Sequence, residues 1–305
     1  MSILSLDPLI LNSLVALPSA LAFAYASLHF KEVSLRASPL WMNSLKACVA
    51  TICFFLAFLV SRLVEAEIFV WPEFKTLGFF GISGFLGLFI ADTFLLKAFA
   101  SIGIGRTLMI FSFNPIFLGL AGSVLFGQSL SDKNLWAIAL LCLCVVVMAH
   151  ESYLRERRWA AQGLMLAVAA GVFDALGIVL TRFAFENTPD VSVNFGNFIR
   201  CLGALVGFFV FSPFRRVSKF TKFFRSLEKP VLKKALLASF FGTYFSLSCW
   251  LWALGHGHIG ITSALAGTAP LFATVIESLQ LRKPPGLHLM AALIFFGLGF
   301  FFILV

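Results

Sequence analysis

Ionisable side chains are scarce in the long apolar runs of this chain, and those that occur there are where chemistry is to be sought. Asp174 stands in the run 160–182 with no other charged residue within seven positions on either side. A charge at the centre of a helix in hydrocarbon costs about 2.5 to 3.5 kcal/mol on insertion scales, so it is a functional candidate by default. Facing a cavity, Asp174 would bind a cationic substrate group or a coupling proton. The alternative is a buried ion pair, with Lys46 or Arg200, that locks helices together. Lys46 and Arg200 close similar tetrads, Asn43, Ser44, Leu45, Lys46 and Asn197, Phe198, Ile199, Arg200. That recurrence suggests a shared role, holding the fold or attracting an anionic substrate. Asp92, Arg106 and Glu277 form a further set, expected near the ends of their helices on one face of the membrane. There they would make a gate of exchanging salt bridges or snorkel to the interface.

Uncharged groups extend the list. Pro115 and Pro270 lie well inside apolar runs, where a proline frees a carbonyl four residues back and kinks the helix. A free carbonyl is tolerated in lipid only against protein or a wet cavity. These two helices are therefore expected to line a central pathway, with Asn114 and Thr268 adding polar groups; a plain packing kink is the alternative. Trp250, Trp252, Phe111, Phe113, Phe117 and Tyr244 could wall that pathway, or fill lipid-facing surface as most of the 38 Phe must. Gly78, Gly81, Gly84 and Gly87 recur every three residues, and Gly203 and Gly207 every four, a pattern that lets helix backbones approach closely.

Catalysis finds little support. The five histidines, His29, His150, His256, His258 and His288, form no His-Glu-x-x-His helix, and only His256 and His258 are neighbours. No Gly-x-Ser-x-Gly elbow and no phosphate-cradling Gly-x-x-x-x-Gly-Lys occurs. The six cysteines lie in apolar runs without zinc-site spacing. No catalytic residue, metal or cofactor is expected, and without a nucleotide site any transport must be secondary.

The elements that carry these residues follow from composition. Of 305 residues 60% are hydrophobic and 12% charged, with a mean hydropathy of +0.97. A soluble domain is about 25% charged, so the solvent of this chain is a bilayer. A crossing helix needs roughly 20 apolar residues. Ten such runs can be drawn: 11–30, 40–60, 76–98, 104–126, 135–149, 160–182, 194–212, 234–254, 259–281 and 287–305. An all-α polytopic protein results, since unpaired backbone is costly in lipid. The links after helices 1, 3, 5, 7 and 9 carry 15 Lys and Arg and the opposite links four. Positive-inside counting places the former in the cytoplasm and both termini outside. The longest link, 215–234, interleaves eight basic residues with Phe220, Phe223, Phe224 and Leu227. It is either a topology anchor or a helix lying on anionic headgroups. Nucleic acid is not an expected partner; the bilayer and a small-molecule substrate are, with oligomeric state open.

Shifted by 155 residues, the end of helix 3 through helix 5 matches the end of helix 8 through helix 10 without a gap. Leu96, Ala98, Ile104, Gly105, Thr107, Pro115, Phe117, Ser123, Ala137 and Leu143 meet Leu251, Ala253, Ile259, Gly260, Thr262, Pro270, Phe272, Ser278, Ala292 and Leu298. Residues 1–150 and 151–305 are thus expected to be two five-helix repeats. Because five is odd, the second enters the membrane from the opposite face, the inverted-repeat plan of many carriers.

Each half resembles the five-helix EamA repeat of the drug/metabolite transporter superfamily. The likeness lies in the short link from Ala98 to Thr107, and from Ala253 to Thr262, and in the helix after it. That helix carries Pro115, Ile116, Phe117 in one half and Pro270, Leu271, Phe272 in the other. The resemblance implies a secondary transporter of the plasma (inner) membrane that moves a small polar metabolite by alternating access. An amino-acid-like molecule or an organic cation is expected as cargo, by export, with proton coupling; a membrane scaffold or lipid-translocating protein is the alternative. Two features depart from the family. Gln128 and Lys283 stand where it usually has an acidic residue, and its termini are usually cytoplasmic.

Overall fold

The computed structural model describes residues 8–34, 39–65, 71–102, 107, 110–156, 161–188, 190–211, 217–280, 282, 284 and 286–304. Among them, nine helices are long and apolar enough to cross a membrane, and one apolar helix is shorter. We number these ten α1 to α10. They are α1 (Pro8–Ser13 and Ala16–Ser34), α2 (Pro39–Glu65), α3 (Phe74–Gly84, Phe85–Ala91 and Asp92–Ile102), α4 (Asn114–Phe126) and α5 (Asp132–Glu156). The second half gives α6 (Ala161–Asn187), α7 (Val193–Phe211), α8 (Lys229–Ser239, Phe240–Phe245 and Ser246–His256), α9 (Ile259–Gly267 and Ala269–Gln280) and α10 (Leu287–Leu304). Gly127, at φ 60°, ends α4 in the left-handed conformation that glycine adopts without strain. Pro230 opens α8, where its missing N–H is not needed. Lys229, Lys233 and Lys234, assigned to a loop from sequence, therefore stand on the first turns of α8.

The repeat is carried by the backbone more fully than by the residues. Adding 155 takes the start of α3 at Phe74 to that of α8 at Lys229, α4 at Asn114 to Ala269, and α5 at Asp132 to α10 at Leu287. It also takes Phe85 to Phe240, where each long helix widens into π-helical turns. The interruptions of α4 and α9 correspond bond by bond. The N–H of Phe113 donates to the Ile110 carbonyl at 3.3 Å, and that of Thr268 to Leu265 at 3.2 Å. Beyond each break, the Phe113 carbonyl accepts from Ile116 and Phe117, and the Thr268 carbonyl from Leu271 and Phe272. The prolines do not kink continuous helices, as their position suggested. Each takes the second position of a new helix, where no N–H is required.

Packing obeys the same exchange only in part. The most extensive contacts are α3 with α6, α1 with α8, α3 with α7, α5 with α10, α1 with α9, α2 with α7, and α4 with α9. Swapping halves returns α5–α10, α2–α7 and α4–α9 to themselves and exchanges α3–α6 with α8–α1, whereas among the described residues α1–α9 is far more extensive than its counterpart α4–α6. The glycine stripe of α3 meets α7 at backbone distance. A Cβ at Gly84 would overlap the Arg200 carbonyl, and one at Gly203 the Gly81 carbonyl, so close packing is what these glycines serve. Part of the basic link forms a helix, Val217–Ser226. Its Phe220 stacks on the buried Trp41 at 5.8 Å, and Phe224 and Leu227 pack with it over Val33, Met42 and Val231. This apolar face covers the ends of α1, α2 and α8 rather than lying free.

Candidate functional site

Asp174 occupies the middle of α6, 13 residues from either end, about 20 Å along the axis. The break in α4 supplies its partner. Asn114, the first residue after that break, donates from Nδ2 to Asp174 Oδ2 at 3.3 Å and to the Gly171 carbonyl at 3.2 Å. Asp174 thus has a neutral hydrogen-bond donor, while Asp92 and Arg200 lie within electrostatic reach of it.

Asp92 comes directly after the π turns of α3 and pairs with Lys46 of α2, Nζ to Oδ2 at 3.8 Å. The Lys46 side chain is 21% and the Asp92 side chain 31% exposed, and Asp174 is likewise half-buried.

Arg200 is different. Only 3% exposed, it stacks over the Trp250 ring with Cζ 4.9 Å from the centroid. Its Nε and Nη1 have no hydrogen-bond partner. An unpaired buried N–H costs about 1 to 3 kcal/mol, so this guanidinium is held ready for an acceptor. Neither Asp174 nor Arg200 has an ion-pair partner among the described residues. The region thus offers one unpaired charge of each sign beside a Lys–Asp pair.

The other candidates fall at varied distances from this cluster. Pro115 is buried and Pro270 half-buried at the matching breaks. The Thr268 hydroxyl donates to the Leu265 carbonyl at 2.6 Å, so it serves the break of α9 locally. Tyr244 packs against Phe54 at 4.9 Å and Phe240 at 5.2 Å, in a ring cluster between α2 and α8. Glu277 is exposed on α9, and Arg106 lies outside the described residues. Asp92 stands ten residues inside the end of α3 and pairs with Lys46. Lys46 and Arg200, alike in sequence, have unlike partners. Phe113 and Phe117 join Leu120 and Val124 in an exposed apolar stripe along α4.

Some polar groups escape sequence reasoning. Asn43 donates to the Leu88 carbonyl at 3.4 Å and Asn197 to that of Leu247 at 3.1 Å, each reaching the π turns or their edge in its own half. Their matching tetrads were the signal. The Asn197 Oδ1 and the hydroxyls of Thr93 and Thr243 are buried without partners, and no pattern in sequence points to them. A surface groove of about 500 Å³, lined by Val49, Leu232, Leu236 and Phe240 with Lys229 and Lys233, lies between α2 and α8.

The EamA-like transporter family matches this chain twice, over residues 11–149 and 161–305, one match to each structural repeat. No curated protein matches it. A solved structure described as "Crystal structure of protein" is 16% identical, with a TM-score of 0.73 over 94% of this chain and 94% of its own. At that identity the likeness is one of fold. With ten apolar helices in two repeats and family matches over nearly its whole length, the chain belongs to the EamA-like transporter family and is a multi-pass membrane transporter.

Proposed function

We propose that the protein is a secondary carrier that exports a small zwitterionic metabolite of the amino-acid kind, by alternating access and in exchange for protons. The observation that carries this reading is the pairing of Asp174 and Arg200, opposite in charge, near each other, and each without an ion-pair partner. A substrate ammonium would take the place of the Asn114 amide at Asp174. Its carboxylate would accept from Arg200 Nε and Nη1, with the aliphatic part against Trp250. Organic cations satisfy only the first contact and leave the guanidinium unpaired, which disfavours them by several kcal/mol. Asp174 is also the coupling group, since a carboxylate that binds either ammonium or proton links the two fluxes.

The basic links of 15 Lys and Arg support a plasma-membrane orientation with those links in the cytoplasm and both termini outside. Purified protein in sealed proteoliposomes, loaded with isotopically labelled amino acids, tests the function. Flux that responds to a proton gradient and is lost in Arg200→Gln is expected. Vesicles that move no amino acid, or that move quaternary ammonium ions equally in Arg200→Gln, would overturn it.

A further inference from the structure

The turn between α8 and α9, Gly255 to His258, is the most heavily hydrogen-bonded link in the described fold, and its bonds come from both halves. From α1, Asn12 Nδ2 donates to the His256 carbonyl at 3.1 Å. The His258 N–H donates to Ser13 Oγ at 2.8 Å and to the Leu9 carbonyl at 3.2 Å. From the end of α4, Gln128 gives its Nε2 to the Gly257 carbonyl at 3.3 Å and accepts the Ile259 N–H on Oε1 at 3.0 Å. From α6, Arg182 Nη1 reaches the carbonyls of Leu254 and Gly255 at 2.7 Å and of Gly257 at 3.3 Å. Glu186 fixes that guanidinium, with Oε1 2.7 Å from Nη2.

All of this is dry. Ser13, Gln128, Arg182, His258 and Ile259 are at most 7% exposed. Gly257 has no room for a Cβ, which would stand 2.6 Å from Ser13 Oγ and from the Ala253 carbonyl. The accessible Lys46–Asp92 pair lies toward the other face of the membrane. Lys46 is seven residues from the start of α2 and Asp92 ten from the end of α3, about 10 and 15 Å from that face.

The residues of the network are not repeated in sequence: Gln128 corresponds to Lys283, α1 carries Lys31 where α6 has Arg182, and the stretch of α6 that answers to Asn12 and Ser13, from Gly163 to Val168, has no polar side chain. An arginine gathering the carbonyls of a helix end is on its own a helix cap. Here the capped turn also offers its other polar groups to the opposite half.

We propose that the Arg182-ordered turn, with Asn12, Ser13 and Gln128, is the gate of the N-terminal face: a latch between the two halves, shut in this structure, that must release as one unit for the cavity to open on that side. The opposite face does not repeat Asn12, Ser13 and Gln128, so the latch biases the carrier toward the state closed here and open toward the basic links. This inference rests on the alternating-access reading but is tested without transport.

Amide hydrogen exchange of the full-length protein in nanodiscs, followed by mass spectrometry, reads the latch directly. Ser13→Ala, Gln128→Glu and Arg182→Lys should each speed exchange roughly tenfold or more in peptides covering 254–261, 9–13 and 126–130 together, the scale of one lost buried hydrogen bond. The Gln128→Glu change guards against misfolding, since it keeps the acceptor for Ile259 and removes only the donor to Gly257. Faster exchange confined to 254–258 would mark a helix cap and overturn the gate, as would a uniform rise over all ten helices. Coupled release without any flux in vesicles would leave the latch standing and sink the carrier reading instead.

Discussion

Replacing Arg200 by methionine separates a binding group from a structural one, because the two roles predict opposite changes in stability. In the substrate-free protein Arg200 Nε and Nη1 are buried without acceptors, each at a cost of about 1 to 3 kcal/mol. Stacking on Trp250 at 4.9 Å returns roughly 2 kcal/mol. Methionine fills much of the same volume and carries no buried donor, so the cost of the unpaired N–H groups disappears together with the stacking. Arg200→Met should therefore melt at the same temperature as the parent or a few degrees higher. Binding should move the other way. Two charge-assisted hydrogen bonds to a carboxylate are worth about 1.5 to 3 kcal/mol each, so their loss weakens the substrate by roughly 10² to 10⁴-fold. Thermal unfolding in detergent, with and without millimolar amino acid, gives both quantities in one experiment. A variant that melts clearly lower than the parent yet keeps its ligand-induced shift would refute the reasoning, for it would make Arg200 a fold-locking residue.

Neighbouring contacts set three more outcomes. Asp174→Asn keeps the size and the Asn114 contact but removes the charge, so proteoliposome flux should cease to respond to a proton gradient; an unchanged response would exclude Asp174 from coupling. Gly84→Val places methyl groups on the Arg200 backbone, and overpacking of about 1 to 3 kcal/mol or more should lower the melting temperature and abolish transport. Normal stability in that variant would mean that α3 and α7 do not pack as described. Trp41→Ala removes the ring beneath Phe220 and Phe224 and should cost about 3 to 5 kcal/mol, with proteolytic nicking of Val217–Ser226 as the sensitive readout.

Sequence reached the class of fold and half of the site, for identifiable reasons. An isolated charge in an apolar run is conspicuous, so Asp174 was visible, and so were the prolines at the breaks. The register of 155 was legible from Leu96 onward because Ile-Gly-x-Thr and Pro-x-Phe repeat as letters. Over the first part of α3 and α8 few residues coincide, Leu77 with Leu232, Phe85 with Phe240 and Gly87 with Gly242. There only the backbone shows the correspondence. The Lys46–Asp92 pair was hidden by the π turns. Each extra residue in a widened turn rotates the remainder of the helix by about 100°, so a 3.6-residue period carried through Phe85–Ala91 misplaces the face on which Asp92 stands. The latch is hidden for another reason: Arg182 ends an apolar run and counts among the four cations of the less basic links, while Ser13 and Gln128 are ordinary polar residues whose partners lie 245 and 129 positions away.

Backbone symmetry and side-chain asymmetry have separate mechanical consequences. The interruptions recur one for one, in the π turns of α3 and α8 and the breaks of α4 and α9, and under the proposed alternating access each half would take up the bend of the other. The groups that weight the two states are not repeated. Six hydrogen bonds join the α8–α9 turn to the first half, from Leu9, Asn12, Ser13 and Gln128. At a net 0.5 to 1.5 kcal/mol each, and with several sharing a donor or acceptor, their release costs about 3 to 6 kcal/mol. That matches the roughly 3 to 6 kcal/mol available from a carboxylate meeting Arg200. A ligand shifts a two-state equilibrium only by its differential affinity. The carboxylate contact is large enough to open the latch only to the extent that Arg200 holds it more tightly with the latch released, and a substrate lacking the carboxylate forgoes that contribution.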